Sequence, residues 1–128
     1  MGPVPDLPRS RSTELRAGPK TPAEARWFVS EALDIFDADV DRDAALLLTS
    51  ELASNAARHG KEPIDVTVSL EDDDLRVSIF DRGAGFDPEV LSSEVRSDGG
   101  WGLRIVQDLS AEWGVELRDD GTDVWFRL

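Results

Sequence analysis

The sequence contains no cysteine and only one histidine. Without cysteine the chain cannot form a disulfide, a zinc site with thiolate ligands or a cysteine nucleophile. It also has no apolar run close to the roughly 20 residues that a membrane-spanning helix requires. These absences exclude a disulfide-stapled scaffold and disfavour a helical membrane protein, and they are compatible with a reducing compartment.

Basic residues are scarce as well, with 14 Lys and Arg against 27 Asp and Glu, which gives a formal net charge of -13. Such a surface repels nucleic-acid backbones and anionic membranes, so we expect neither as a direct partner. A small anionic ligand is not excluded. Exposed charges more than about 8 Å away are largely screened, whereas backbone amides and a bound metal act at contact distance.

The first twelve residues are rich in proline, arginine and serine. They lack the apolar stretch of a signal peptide, so we predict a disordered tail over residues 1–12. The remaining residues, 13–128, have the length of one ordinary domain. Together with the absence of cysteine, this organisation favours a cytoplasmic protein.

Hydrophobic periodicity and turn residues predict the elements of this domain. Thr21 is predicted as the N-cap of the first helix and Asp41 as the cap of the second. Antiparallel hairpins with helices collected on one side make an α+β fold, a two-layer sandwich with a mixed, mainly antiparallel sheet and helices on one face. The predicted elements are a strand at 13–18, helices at 22–36 and 42–59, strands at 64–70 and 75–79, a helix at 102–111, and strands at 113–117 and 122–128.

The first departure from the apolar pattern is a polar pair on the second helix. Glu51 and Asn55 are one turn apart and extend the line of Ala44, Leu47 and Leu48. A buried polar group without a partner costs on the order of 1–3 kcal/mol, and a charge costs more. The pair therefore either faces a metal or phosphate or lies at a solvated helix edge, and both interpretations stay open.

The second departure is Asp81, at the end of a predicted strand. Counting by twos from Leu75 through Val77 and Ile79 places Asp81 on the inward side of the sheet. There its carboxylate can accept a hydrogen bond from the amino group of a ligand. The alternative is a strand that ends one residue earlier, with Asp81 capping the turn that follows.

The third feature is a pair of glycine-containing stretches. Gly83 and Gly85 follow a strand, and the stretch 99–102 opens a helix. Glycine allows positive φ and close approach of a ligand, and a helix N-terminus directs free amides at an anion. The alternative is a flexible loop between two helix breakers. A Walker loop is excluded, because no lysine followed by serine or threonine comes after the glycines.

Together and in this order, these features resemble the ATP-binding domain shared by histidine kinases, Hsp90, MutL and type II topoisomerases. Residues 51–60 are similar to its N box, residues 81–85 to its G1 box and residues 100–103 to its G2 box. The resemblance spans about residues 13–128, nearly the whole chain. It implies the Bergerat ATP-binding fold, with ATP and Mg²⁺ as ligands.

The resemblance also implies a role for each matching residue. Asn55 is implied to coordinate the Mg²⁺ that bridges the phosphates, and Glu51 to be the general base toward a substrate serine hydroxyl. Asp81 is implied to receive the adenine amino group. Five further residues are implied to shape the pocket and its lid: Gly83, Gly85, Gly100, Gly102 and Leu103.

Within this superfamily the chain is most similar to small stand-alone members, the bacterial anti-sigma-factor serine kinases and their relatives. It is short for Hsp90, MutL or a topoisomerase, and it lacks a histidine-kinase dimerisation helix. The resemblance implies a serine/threonine kinase that acts on a protein antagonist in transcription regulation. The implied partner is a sigma factor or the antagonist, and a homodimer stays open.

Two departures from the kinase pattern favour an alternative function. Only 13 residues, 86–98, lie between the glycine boxes, which predicts a short lid over the nucleotide. Trp101 stands where the kinases often have a basic residue. The alternative is a non-catalytic anti-sigma factor or partner-switch module that needs nucleotide only to hold its shape.

Overall fold

The computed structural model describes residues 9–59, 61–83 and 108–128. Within these ranges the chain forms two helices, neither of which combines the length and the hydrophobicity needed to cross a membrane. It also forms five strands. The elements are β1 (Arg9–Leu15), α1 (Thr21–Phe36), α2 (Arg42–His59), β2 (Ile64–Glu71), β3 (Asp74–Asp81), β4 (Glu112–Arg118) and β5 (Gly121–Arg127).

The five strands form one sheet in the order β1-β2-β3-β5-β4. α1 packs on β1 and β2, and α2 packs on β3 and β5. This confirms the predicted α+β sandwich with helices on one face. Each described pair of neighbouring strands is antiparallel, so the parallel component of the predicted mixed sheet does not occur among them. Short turns join β2 to β3 and β4 to β5, and only antiparallel strands allow such connections.

The core lies between the helices and one face of the sheet. β2 and β3 bury alternate side chains, because successive residues of a strand point to opposite faces. Each fully buried aliphatic side chain contributes roughly 1.5–3 kcal/mol relative to its exposed state. The largest fully buried side chains are Phe126, Leu33, Leu48, Leu52, Ile64, Leu75, Ile79, Val29, Val66, Val68 and Val77.

The first strand begins earlier than the sequence predicts. β1 starts at Arg9, so residues 9–12, which were predicted as part of the disordered tail, are a strand. This segment lacks apolar alternation, but its backbone pairs with β2 along its whole length. The hydroxyls of Ser12 and Thr67 also lie 2.9 Å apart. Backbone hydrogen bonds to β2 therefore order this edge segment, although its side chains lack the alternation that predicts a strand.

The two helix starts differ from each other. The Oδ1 atom of Asp41 accepts a hydrogen bond from the Ala44 amide at 3.1 Å, which confirms the predicted cap of α2. The predicted N-cap of α1 is wrong, because Thr21 is already helical and Lys20 precedes it without a side-chain cap. The Thr21 hydroxyl instead donates to the Arg16 carbonyl at 2.5 Å, so it fastens the β1–α1 connection.

A glycine in the last hairpin lets two residues of β3 approach the β5 backbone. A Cβ atom on Gly121 would lie 2.0 Å from the Asp81 carbonyl oxygen and 2.6 Å from Cζ of Phe80. The first contact is with backbone, which cannot rotate away. Gly121 is therefore required for the close pairing of β5 with the end of β3.

We expect Gly121→Ala to lower the free energy of unfolding by about 2–3 kcal/mol, because the new methyl group overlaps backbone and ring atoms. Gly18→Ala is the matched control, since a Cβ atom there meets nothing within 4 Å. Its free energy of unfolding should change by less than about 0.5 kcal/mol. Urea titrations followed by circular dichroism measure both values, and equal losses in the two variants would contradict the role of Gly121.

Candidate functional site

Asp81 ends β3 on the face that packs against the helices. Leu75, Val77 and Ile79 are buried at every second position before it, and Asp81 itself is only 5% exposed. The predicted inward orientation is therefore confirmed. A carboxylate at such a position is desolvated by the core, although Asp81 is the last residue of its strand.

The Asp81 carboxylate also makes the turn contact of the alternative interpretation. Its Oδ1 atom accepts a hydrogen bond from the Gly83 amide at 2.7 Å, which is the geometry of an Asx turn. Asp81 is nevertheless still paired in the β3 ladder, opposite Thr122 of β5. One oxygen thus shapes the turn while the residue keeps its inward position, so the two interpretations are compatible.

Burial raises the pKa of the Asp81 carboxyl above its ordinary value. The backbone amides of Gly83 and Lys61 and the positive charge of Arg82 act in the opposite direction without cancelling the effect of burial. The Arg82 guanidinium forms an ion pair with Asp65, whose Oδ2 atom lies 2.7 Å from Nη1. The ionised Asp81 carboxylate is therefore less favourable in the folded chain than in water.

Thr122 is a site residue that the sequence interpretation missed. It is 1% exposed and lies directly across from Asp81 in the β3–β5 ladder. Its hydroxyl donates to the Gly83 carbonyl at 3.3 Å, so a side chain of β5 fixes the backbone of the G1 box at Gly83. A signal was present, because Thr122 has the same inward parity as Val124 and Phe126 and is the one polar residue of the three.

Glu51 and Asn55 lie at the border between the buried side of α2 and solvent, and both are half-buried. Leu48 and Leu52 beside them are buried. The Asn55 side-chain oxygen accepts a hydrogen bond from the Arg58 guanidinium at 3.1 Å. The pair is thus neither fully in the core nor on a freely solvated surface, and its role as a ligand pair stays a prediction.

The C-terminal end of α2 lies beside Asp81. The Arg82 amide donates to the Lys61 carbonyl at 3.0 Å, which ties the segment after α2 to the end of β3. The Lys61 amide also acts on the Asp81 carboxylate. The last turns of α2, which carry Asn55, and the acid of the G1 box are therefore at the same end of the sandwich.

The remaining predicted residues lie outside the described part of the chain. They are Gly60, Gly85, Gly100, Gly102 and Leu103, together with most of the predicted helix 102–111. The described residues hold an open recess elsewhere, lined by Glu14, Leu15, Arg16, Glu62 and Pro63. They form no cluster of three or more histidine or acidic side chains able to hold a metal ion.

Sequence comparison decides the family. The sequence profile described as "Histidine kinase-like ATPase domain" matches residues 15–128. The chain belongs to the histidine kinase-like ATPase domain family. This confirms the resemblance on which the three boxes were assigned. A comparison with curated protein sequences finds no match.

Several solved structures are similar to this histidine kinase-like ATPase domain, and two of them illustrate the likeness. The RsbU and RsbW domains of a Mycobacterium tuberculosis protein match with a TM-score of 0.68 and 24% identity, over 92% of this chain and 31% of theirs. The Acinetobacter baumannii histidine kinase AdeS matches with a TM-score of 0.58 and 16% identity, over 92% of this chain and 66% of its own. The chain spans less than two thirds of either structure, and at these identities the likeness concerns the fold.

We expect Asp81→Asn to change how stability depends on pH. A raised pKa means that the folded chain binds this proton more tightly than the unfolded chain. The associated stability is complete below the unfolded pKa and is lost as pH rises through the folded pKa. Asparagine keeps the oxygen that accepts from Gly83 and cannot ionise, so the variant should gain stability relative to wild type as pH rises.

Urea unfolding of both proteins between about pH 3.5 and pH 8 measures this difference, because the change begins at the ordinary carboxyl pKa of 3.8 and ends above the raised pKa. Other titrating groups are common to both proteins and cancel in the difference. A difference that is independent of pH over this range would contradict the raised pKa of Asp81.

Proposed function

We propose that this chain binds ATP with Mg²⁺ and acts as a serine/threonine kinase of the anti-sigma-factor type on a protein antagonist. The observation that carries the proposal is the buried Asp81 carboxylate, held by the Gly83 amide at the end of β3 beside the C-terminal end of α2. Membership of the histidine kinase-like ATPase domain family over residues 15–128 supports it.

Asp81 is the proposed adenine acceptor. Because Gly83 occupies Oδ1, the second carboxylate oxygen is the atom proposed to accept from the 6-amino group of adenine. Burial strengthens such a hydrogen bond, because the local dielectric constant is low and water competes less for the carboxylate. Guanine carries a carbonyl where adenine carries the amino group, so a carboxylate there faces an acceptor and disfavours GTP.

The phosphate end of the nucleotide is assigned to α2 and the glycine boxes. Asn55 is proposed as a ligand of Mg²⁺, and its oxygen would exchange the Arg58 guanidinium for the ion. The bound Mg²⁺ would neutralise charge on the phosphate oxygens. Gly85, Gly100, Gly102 and Leu103 are proposed to shape the pocket and the lid.

Glu51 is the proposed general base of the transfer. Its carboxylate takes the proton of a substrate serine hydroxyl while that oxygen bonds to the γ-phosphorus and the bond to the β–γ bridging oxygen breaks. The products are phosphoserine and ADP. Glu51 is half-buried at the α2 border, where a carboxylate keeps access to a substrate from outside. Phosphoryl transfer asks the protein mainly for positioning and charge stabilisation.

A protein is the proposed partner, either a sigma factor or its antagonist. The net charge of -13 disfavours direct contact with nucleic acid or an anionic membrane. The proposal places the chain in a compartment that supplies ATP, the cytoplasm. The second candidate, a non-catalytic binding module, is favoured by Trp101 and by the 13 residues between the glycine boxes.

We expect Asp81→Asn to weaken binding of Mg·ATP by at least about tenfold. With its oxygen held by Gly83, the asparagine turns its amino group toward the adenine amino group, so two donors face each other. Asp73→Asn, in the exposed β2–β3 turn, is the matched control and should bind as wild type does. Isothermal titration calorimetry measures both.

The same titration with Mg·GTP tests the base contact in the wild-type chain. GTP should bind at least about tenfold more weakly than ATP. Equal affinities for the two nucleotides, or an unchanged affinity in Asp81→Asn, would remove the assignment of Asp81 as the adenine acceptor.

We expect Glu51→Gln to lower phosphoserine formation by at least about a hundredfold while ATP affinity changes little, because the amide keeps its size and cannot take a proton. Glu71→Gln at the exposed end of β2 is the control. The assay follows transfer from radiolabelled ATP to the antagonist identified by copurification with the chain. A wild-type chain that binds ATP and yields no phosphoserine would contradict the kinase proposal and support the binding module.

A further inference from the structure

The face of the sheet opposite the helices carries a layer of aromatic rings and arginines. The Trp125 indole lies against Gly114 of β4, where an added Cβ atom would come within 2.8 Å of the ring. The Phe80 ring lies in the same way against Gly121. The Arg76 guanidinium covers Trp125 at 5.0 Å from the ring centroid, and Arg118 lies 5.8 Å from the centroid of Phe80. These side chains shield the strands on this face, on which neither α1 nor α2 packs.

Asp123 lies at the centre of this layer and is only 4% exposed. Its Oδ2 atom is 3.5 Å from Nη2 of Arg118 on β4 and 3.9 Å from Nη2 of Arg76 on β3. Among the described residues its Oδ1 atom has no hydrogen-bond partner. One carboxylate on β5 therefore joins the two strands that flank it, and we call Asp123, Arg76 and Arg118 the arginine clamp.

Stability alone does not account for the arginine clamp. Burial raises the pKa of Asp123 although Arg76 and Arg118 attract its charge, and nearby Glu116 raises it further. The ionised carboxylate is thus disfavoured by folding at neutral pH, relative to a neutral group of the same size. Asp123 is buried, whereas the Arg76 and Arg118 side chains are 41% and 50% exposed, so these ion pairs contribute little to stability. Ion pairs with a buried member are best attested where they fix one arrangement of neighbouring elements.

The position of the arginine clamp connects it with the candidate site. Asp123 lies opposite Phe80 in the β3–β5 ladder, and the next pair of the same ladder is Thr122 with Asp81. Successive residues point to opposite faces, so the clamp lies directly behind the buried acid. Any shift of β5 relative to β3 that loosens the clamp also displaces Thr122, whose hydroxyl holds the Gly83 carbonyl.

We propose that Asp123 is a positioning residue for the nucleotide acid. By binding Arg76 of β3 and Arg118 of β4, it fixes β5 between its two neighbours and thereby holds Thr122, Gly83 and Asp81 in the arrangement that receives the base. This inference rests on the proposed binding of adenine nucleotide at Asp81. Asp123 itself lies on the face of the sheet opposite to Asp81.

The test compares Asp123→Asn with a matched ion-pair variant at the other end of the same strands. Arg127 of β5 also joins both neighbours, because it lies 2.7 Å from Glu112 of β4 and 3.3 Å from Asp74 of β3. Arg127→Gln therefore cuts an equivalent bridge far from Asp81. Arg118→Gln is a second variant that removes one side of the arginine clamp without changing Asp123.

Three quantities are measured at neutral pH: the free energy of unfolding, the Kd for Mg·ADP, and amide hydrogen exchange of the β5 peptide that contains Thr122, without nucleotide. We expect Asp123→Asn to bind ADP about fivefold more weakly and to exchange faster at Thr122, while its stability is equal to or above that of wild type. Arg118→Gln should change affinity and exchange in the same direction. Arg127→Gln should bind within about twofold of wild type.

A purely structural role for Asp123 would make stability and affinity fall together, or leave affinity unchanged. The positioning role would be overturned if Asp123→Asn bound ADP as tightly as wild type, or if Arg127→Gln lost as much ADP affinity as Asp123→Asn. Either result would leave the proposed function intact. Absence of ADP binding by the wild-type chain would overturn the proposed function and this inference with it. Weaker binding and faster exchange in Asp123→Asn, with stability retained, is the result that supports it.

Discussion

The candidate site depends on one constraint, the burial of an ionisable carboxylate at the inward end of a strand. Asp81 continues the apolar line of β3 but cannot be satisfied by that core, and burial raises its pKa. The backbone amides of Gly83, at 2.7 Å, and of Lys61 compensate only in part. Carboxyl groups whose pKa is shifted by burial cluster at functional sites, which is why the proposed nucleotide site is centred on Asp81.

The last hairpin supports this acid from both faces of the sheet. On the helix side, Thr122 is buried opposite Asp81 and fastens the Gly83 carbonyl. On the other side, Gly121 lets β5 approach the end of β3, and Asp123 forms ion pairs with arginines of both flanking strands. Because the ladder links the two faces residue by residue, the proposed positioning role of Asp123 connects a side chain on one face with the acid on the other.

Most of the fold was predicted from the sequence, because hydrophobic periodicity indicates which side chains a helix or strand buries. The bounds of α2 and the inward parity of Asp81 were predicted as they occur. Two local features were not predicted from the sequence. β1 begins at Arg9 because its order comes from pairing with β2, and Thr21 binds the Arg16 carbonyl because the chain folds back there. Both depend on contacts that no local pattern encodes.

The candidate site, like the fold, was predicted in part from the sequence. Three motifs in order predicted the family, which the profile match confirms, and Glu51, Asn55 and Asp81 were predicted as polar residues that interrupt apolar patterns. Their surroundings became known from the packed chain: Thr122 lies opposite Asp81, the Lys61 segment beside it, and Asp123 on the other face of the sheet. Motifs record the chemistry of single segments, whereas burial and strand register arise when distant segments pack together.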